Sequence, residues 1–402
     1  MLRTVKQLVK KAIELTSGFT WHDYYLLRSL RHFWWLYPWA FSYRTTIRLP
    51  RIERVAPNAA SDSSVELCER ISKAYRLAVE DPGPECDVSS MWQTHMEAKY
   101  GRLKSLLGGE PRPLAEALAS MFSSEMVSGI DTGDLYRGRN WRVYSRRTLD
   151  DLVSLAEQLG VRRTESGGTI IGGAFSAGLP KLLRDTEAAL GCSLDVPRIG
   201  APYGVVIDGT LLTIQSCEYA YVALRLSQAL QDRLGTNAVS VLEIGGGYGG
   251  AAMFVARLMP VASYTIADLP IVNVLQASFL GSVFGGHAVN LFGENRLARF
   301  SIIPGTSVKR LGRVGALFNE NSMPELPLEA STSYLRWARE NVQLFFSYNH
   351  ETISPSGKGA IATVSEIVGQ VDGFARKSRN YSWLRPGYTE EIWVPTSNTT
   401  GR

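Results

Sequence analysis

From Arg198 onward the apolar positions fall into short unbroken runs separated by longer amphipathic stretches. VSVLEI, ASYTIAD, RFSII, VGALFN and QLFFSY are too short for buried helices, so they read as buried strands. The segments after the first two, to Met259 and through Leu280, carry helical spacing. Strand-helix alternation of this kind predicts right-handed crossovers and a parallel sheet covered on both faces. The tail breaks the alternation: YSWLRPGYTEEIWV reads as two strands around Pro386-Gly387 with no helix between them, an antiparallel hairpin closing the sheet. Upstream, GAPYGVVIDGTLLTI holds two β-rich runs around Asp208-Gly209, a hairpin signature, and a helix over about 216–234 should follow.

Before Arg198 the chain reads as mainly helical. Candidates run from Val65 to Val79, Pro113 to Phe122 and Thr148 to Leu159, the last with Thr148 as its cap and Asp150 and Asp151 in its first turn. Residues 161–185 are glycine-rich and carry no usable period, and Ala56 to Ser64 reads as a linker. A length of 402 residues exceeds one ordinary core, and the division expected is an arm over 1–55, a helical region over 56–197 and a sheet domain over 198–402.

The richest local signal is VLEIGGGYGG, where Glu243 precedes Gly245, Gly247 and Gly249. Glycines allow a tight turn out of a strand and close approach to a nucleoside, and the following helix offers free N–H groups to an anion. The same string satisfies GxGxxG through Gly245, Gly247 and Gly250, so by itself it fits either a nicotinamide dinucleotide or S-adenosylmethionine. Three features favour the second. A carboxylate at Glu243 would repel a pyrophosphate, the loop begins only at residue 245 behind a long extension, and the closing hairpin suits a methyltransferase sheet. Glu243 would attract the amino end of that cofactor, through water. Asp268 ends the next strand, 23 residues after Gly245, where it can accept from both ribose hydroxyls or cap the helix before Leu269-Pro270. Pro304, Gly305 and Thr306 are candidates for the loop bordering the adenine.

Charge changes the picture mainly at the N-terminus. Residues 1–55 hold ten Lys or Arg against three acidic residues, while the whole chain is only +5. Eleven aromatics fall there too, including Trp21, Trp34, Trp35 and Trp39. The mixture suits either a helical cap with buried aromatics or a peripheral contact with an anionic membrane surface. The longest uncharged aromatic stretch, Phe33 to Tyr43, contains Pro38 and is too short to span a bilayer. Cys68, Cys86, Cys192 and Cys217 are scattered without CxxC spacing, which points to a reducing cytoplasm and no structural zinc. No NPPY-type tetrapeptide or basic stripe outside the arm supports a nucleic-acid partner.

RIGAPYGVVIDG, SCEYAYVALRLSQAL, LEIGGGYGG, IADLP and FNENSMPEL, in that order and spacing, resemble a family of sugar O-methyltransferases encoded with bacterial polysaccharide and glycan genes. The resemblance covers about 198 to the end and almost none of 1–150. It implies an α/β fold, a Rossmann-like seven-stranded class I methyltransferase sheet, with S-adenosyl-L-methionine as donor and a sugar hydroxyl as acceptor. Composition and periodicity say nothing of the sugar.

Methyl transfer to oxygen needs a base at the carboxyl edge of the sheet. His350, after LFFSYN, suits proton removal at neutral pH or else hydrogen-bonds a turn at the surface. Glu320 and Glu325 could each act as base, hold a sugar hydroxyl or cap the next helix. Oxygen ligands there could hold magnesium, but no dense Asp/Glu/His cluster is present and no metal is expected. Tyr219 and Tyr221 are either walls of an acceptor pocket or packing residues. The reading is a cytoplasmic O-methyltransferase of glycan or natural-product assembly, its N-terminal region capping the acceptor site or mediating assembly, a homo-oligomer included. The alternatives are a non-sugar small-molecule acceptor, or a non-catalytic cofactor-binding subunit of a membrane-associated glycan assembly complex.

Overall fold

The structure, a computed structural model, describes residues 49–87, 89, 92–93, 99–127, 130–131, 141–163, 178–235, 238–351 and 362–396. Residues 1–48 of the arm expected over 1–55, with the membrane contact expected of it, lie outside them. No helix of the described residues is long and apolar enough to cross a membrane.

Two compact units are present. Their described residues fall within 1–54, 132–196 and 203–217 for one and within 55–131, 197–202 and 218–402 for the other. The first contains β1 (Arg51–Arg54), β2 (Tyr203–Ile207) and β3 (Thr210–Leu212), paired antiparallel in that order. Asp208 and Gly209 turn the β2–β3 hairpin with φ of 51° and 86°, the paired positive values that a two-residue turn requires and that Asp-Gly supplies. Tyr144 ties its helix (Trp141–Gln158) to this sheet, its hydroxyl donating to Tyr203 O at 2.7 Å and accepting from Ile214 N at 2.9 Å. That helix begins seven residues before the expected Thr148, whose Oγ1 instead donates to Tyr144 O. A mid-helix threonine bonding back to the preceding turn mimics a cap in sequence.

The second unit is built on an eight-stranded sheet. Its strands are β4 (Ser240–Ile244), β5 (Ser263–Asp268), β6 (Val289–Leu291), β7 (Phe300–Pro304), β8 (Ala316–Glu320), β9 (Leu344–His350), β10 (Phe374–Tyr381) and β11 (Tyr388–Pro395). Their spatial order is β10-β11-β9-β8-β4-β5-β7-β6. All neighbours run parallel from β9 to β6, whereas β11 is antiparallel to both β9 and β10. Leaving aside β6, seven strands remain, with the reversed strand β11 inserted between β9 and β10. β6 is a three-residue addition at the far edge, too short to stand out as a strand in the sequence. On one face Leu242, Ile244, Leu317, Phe345 and Trp393 form a fully apolar core with Tyr334 and Leu335.

Helices of 55–131 belong to this unit, not to a separate helical region. The helix Asp62–Val79, capped by Ser61 whose side chain accepts from Ser64 N, packs against Pro270–Phe284, the helix after β5. Arg70 secures the pair, reaching Glu294 at 2.7 Å and the carbonyls of Gly286 and Val289. In the closing hairpin, β10 is FARKSRNY and ends at Tyr381, upstream of the expected YSWLR. It is an edge strand wet along much of its length, so it shows no apolar run; Arg376 and Arg379 hold it through Glu391.

Candidate functional site

Chain order reverses across β4, whose neighbours β5 and β8 lead in opposite directions through the sheet. In an open α/β sheet the crevice outside the carboxyl ends of such strands is where ligands bind. Residues 245–249 leave β4 at that point and enter the helix Gly250–Leu258. Gly245, Gly247 and Gly249 have φ of 71°, 56° and 95°, conformations that L side chains resist. Gly245 is also sterically required, since a Cβ there would collide with Ser322 Oγ. Ser322 is fixed by a network at the ends of β8 and β9. Its Oγ donates to Ile244 O at 3.0 Å, its N–H donates to Asn349 Oδ1, and Asn349 Nδ2 donates to Asn319 Oδ1 at 2.8 Å. The polar ends of two apolar strands thus clamp the glycine loop from the side of β8.

Glu243 lies in the floor of this loop, 1% exposed, accepting from the Tyr264 hydroxyl at 2.9 Å. Burial pushes its carboxyl up to about 8, with the nearby Asp268 adding to the rise and the Tyr264 bond opposing it. Asp268 accepts from Leu269 N and from Gln276 Nε2, both at 2.7 Å, and the amides of Gly246 and Gly247 also favour its ionised form. Burial still outweighs these donors and raises it to about 7. Asp268 does not cap the next helix: the N-cap there is Leu269, without a side-chain bond. The carboxylate instead joins β5 to the glycine loop.

The loop after β7 is covered by the protein's own chain. Gly305 has no room for a Cβ, which would collide with the Tyr334 hydroxyl and lie 2.9 Å from Glu85 O. Thr306 is 6% exposed and donates to Asp81. Segment 81–86 therefore lies on Gly305 and Thr306, the residues expected to border an adenine, and Glu85 is held there by Ser333 and Lys309.

His350 and Glu325 come together. His350 Nε2 lies 3.2 Å from Glu325 Oε1, and Trp92 Nε1 donates to Glu325 Oε2 at 3.0 Å, so both carboxylate oxygens are engaged. Trp92 lies 233 residues from Glu325 in sequence, and no local signal announces the contact. Glu320 is 5% exposed and sits on the opposite strand face from the core, as the alternation from Leu317 dictates. Neither of its oxygens has a hydrogen-bond partner. Its carboxyl is held well above the ordinary range by burial first and by Glu218 and Glu243 second.

Tyr219 and Tyr221 diverge. Both are buried on the helix Ser216–Leu234, but Tyr219 faces Tyr248 of the glycine loop at 5.9 Å and leaves no space for a Cβ on Gly250. Tyr221 packs on Tyr348 at 6.3 Å. Residues two apart on a helix point to different sides, so they do not share a pocket wall. One residue before Tyr219, Glu218 pairs with Arg385 at 2.7 and 2.9 Å, and Arg385 stacks 4.1 Å over Tyr388. Among the described residues no group of three or more His, Cys, Asp or Glu is placed to hold a metal ion.

No family model and no curated protein matches the chain. Among solved structures, mitomycin 7-O-methyltransferase is similar at 12% identity, over 81% of this chain and 94% of that one, with a TM-score of 0.36. An O-methyltransferase family protein from Burkholderia thailandensis is similar at 16% identity over 46% and 61%, TM-score 0.32. Magnesium protoporphyrin IX methyltransferase from Synechocystis PCC 6803, with bound S-adenosylhomocysteine, is similar at 10% over 44% and 84%, TM-score 0.32.

Proposed function

We propose that the chain is an S-adenosylmethionine-dependent O-methyltransferase whose acceptor is a sugar hydroxyl. The carrying observation is the His350–Glu325 pair at the carboxyl ends of β8 and β9, with β8 next to the strand that leads into the glycine loop. Three carboxyl groups around that loop, the buried Glu243 and Glu320 and the half-buried Asp268, suit a cofactor with an ammonium, a sulfonium and two ribose hydroxyls, and suit a pyrophosphate poorly. Gly245, Gly247 and Gly249 would hold the methionine end, and Asp268 the ribose, sharing with those hydroxyls the acceptor positions now turned to Leu269 and Gln276. Bound there, the cofactor supplies an electrophilic methyl group.

His350 is the general base. With Nε2 directed to Glu325, the imidazole takes the proton from the sugar hydroxyl as oxygen attacks. Glu325 keeps the ring in that orientation and stabilises the imidazolium formed, and Trp92 holds Glu325 in place. Tyr219 lines the site beside Tyr248. The sugar rests on the order and spacing of the five stretches from RIGAPYGVVIDG to FNENSMPEL.

The test is methyl transfer from labelled donor to a panel of sugars and non-sugar alcohols, phenols and amines. A sugar product is expected. His350→Ala should lower kcat about 10²–10⁴-fold with KM for the donor little changed. Transfer only to a phenol or amine would overturn the acceptor class, and full activity in His350→Ala would overturn the base.

A further inference from the structure

We propose that Glu320 is the receptor for an alkylammonium group at the switch point between β4 and β8. The inference rests on the cofactor-binding reading above, and it assigns Glu320 a role other than the base. Other buried carboxylates of this unit have partners: Glu218 has Arg385, Glu390 has Arg225, Glu391 has Arg379, Glu243 has the Tyr264 hydroxyl, and Glu85 has Ser333 and Lys309 on one of its oxygens. Glu320 stands apart among the described residues because both of its oxygens are buried and unpartnered. A group in that state is costly to keep unless something else arrives to meet it.

The surroundings select the chemistry of what arrives. Glu218 on the preceding helix and Glu243 on β4 both disfavour a negative Glu320, and Arg385, whose charge favours it, is taken up by Glu218. An incoming anion would add to the repulsion, whereas a cation relieves it. Tyr219, Tyr248 and Tyr348, from the helix, the glycine loop and β9, each sense the Glu320 charge, as does Tyr264 on β5. Aromatic neighbours of that kind suit an alkylammonium. A divalent cation would need about six oxygen ligands, and Glu320 has no such company among the described residues.

The exchange is balanced in charge and protons. Without ligand, burial and the neighbouring Glu218 and Glu243 favour the protonated form of Glu320; when R–NH₃⁺ docks, that proton passes to solvent and the resulting carboxylate accepts from the ammonium. No covalent bond to carbon changes. Two molecules could bring the ammonium: the methionine end of the donor, or an acceptor that is itself an amino sugar.

Calorimetry of the full chain at pH 7 in two buffers of different ionisation enthalpy counts the protons released. The titrants are S-adenosylhomocysteine, methylthioadenosine, which lacks the amino-acid end, and glucosamine added to the S-adenosylhomocysteine complex. Wild type should release about one proton more than Glu320→Gln at a single step. Glu320→Gln should also weaken that step about 10-fold or more, and Glu320→Asp, which keeps the carboxyl, should retain the release. An excess with S-adenosylhomocysteine but not methylthioadenosine identifies the methionine end, and an excess only with glucosamine identifies the acceptor amine. Binding of S-adenosylhomocysteine with equal release in wild type and Glu320→Gln at every step overturns the inference and leaves the donor reading standing. Failure of wild type to bind S-adenosylhomocysteine overturns both.

Discussion

Replacing Glu243 by Gln should remove a pH dependence of stability that wild type carries beneath its glycine loop. Glu243 is 1% exposed, and burial raises its carboxyl from 4.5 to about 8. In the unfolded chain it loses its proton near pH 4.5; in the fold it keeps the proton to about pH 8. The unfolded state therefore binds fewer protons across that window, and the fold loses stability as pH rises through it. Each tenfold change in the ionisation constant is worth about 1.4 kcal/mol, so the full effect is of order 5 kcal/mol, and roughly half of it is lost between pH 5 and 7. Gln can still accept from the Tyr264 hydroxyl that now lies 2.9 Å from Glu243, but it cannot ionise. Urea unfolding of both proteins at pH 5, 6, 7 and 8 gives the difference directly. Asp268, itself raised to about 7, contributes to both curves and cancels if it is unaffected. The variant should gain on wild type steadily with rising pH. Parallel stability curves would refute the burial-driven rise and with it the account of the loop floor.

Other consequences are steric and electrostatic. Gly245→Ala should cost about 3 kcal/mol and abolish S-adenosylhomocysteine binding, because it combines a φ of 71° with a Cβ that collides with Ser322 Oγ. Gly312→Ala, where a Cβ meets nothing within 4 Å, should melt like wild type, and equal melting of both variants would contradict the clamp. Arg385→Ala leaves Glu218 buried without its partner and should destabilise by about 3–5 kcal/mol in denaturant unfolding, most of it recovered on adding Glu218→Gln. No recovery in the double variant would mean that Arg385 matters through its stacking on Tyr388 instead.

What the sequence could and could not convey follows from how each feature is encoded. β4, β5, β8 and β9 are buried on both faces over most of their length and β7 alternates between buried and half-buried positions, so each is written as a short, largely apolar run. The glycine loop and Asp268 are equally visible, since backbone geometry demands glycine and a carboxylate ends the next strand. β10 is hidden because an edge strand exposed along much of its length has no apolar signature, and Thr148 misleads because the same side chain serves caps and mid-helix turns. His350, Glu325 and Glu320 stand out as polar residues following apolar strands, yet nothing local says that the first two meet while the third is left unpaired. Trp92 and Arg385 lie still further out of reach, because their partners Glu325 and Glu218 are 233 and 167 residues away in sequence. The helices of 55–131 read as a separate region because affiliation depends on packing, such as that of Asp62–Val79 on Pro270–Phe284, which periodicity does not encode.

The central claim is that the crevice between β4 and β8 holds S-adenosylmethionine. Calorimetric titration of the purified chain with S-adenosylhomocysteine and, separately, with NAD tests it most directly, repeated on Asp268→Ala. The account predicts binding of S-adenosylhomocysteine, none of NAD, and a loss of about 10-fold or more in the variant, the worth of one charge-assisted hydrogen bond. Binding of NAD in place of S-adenosylhomocysteine would contradict it and make Gly245, Gly247 and Gly250 a dinucleotide fingerprint.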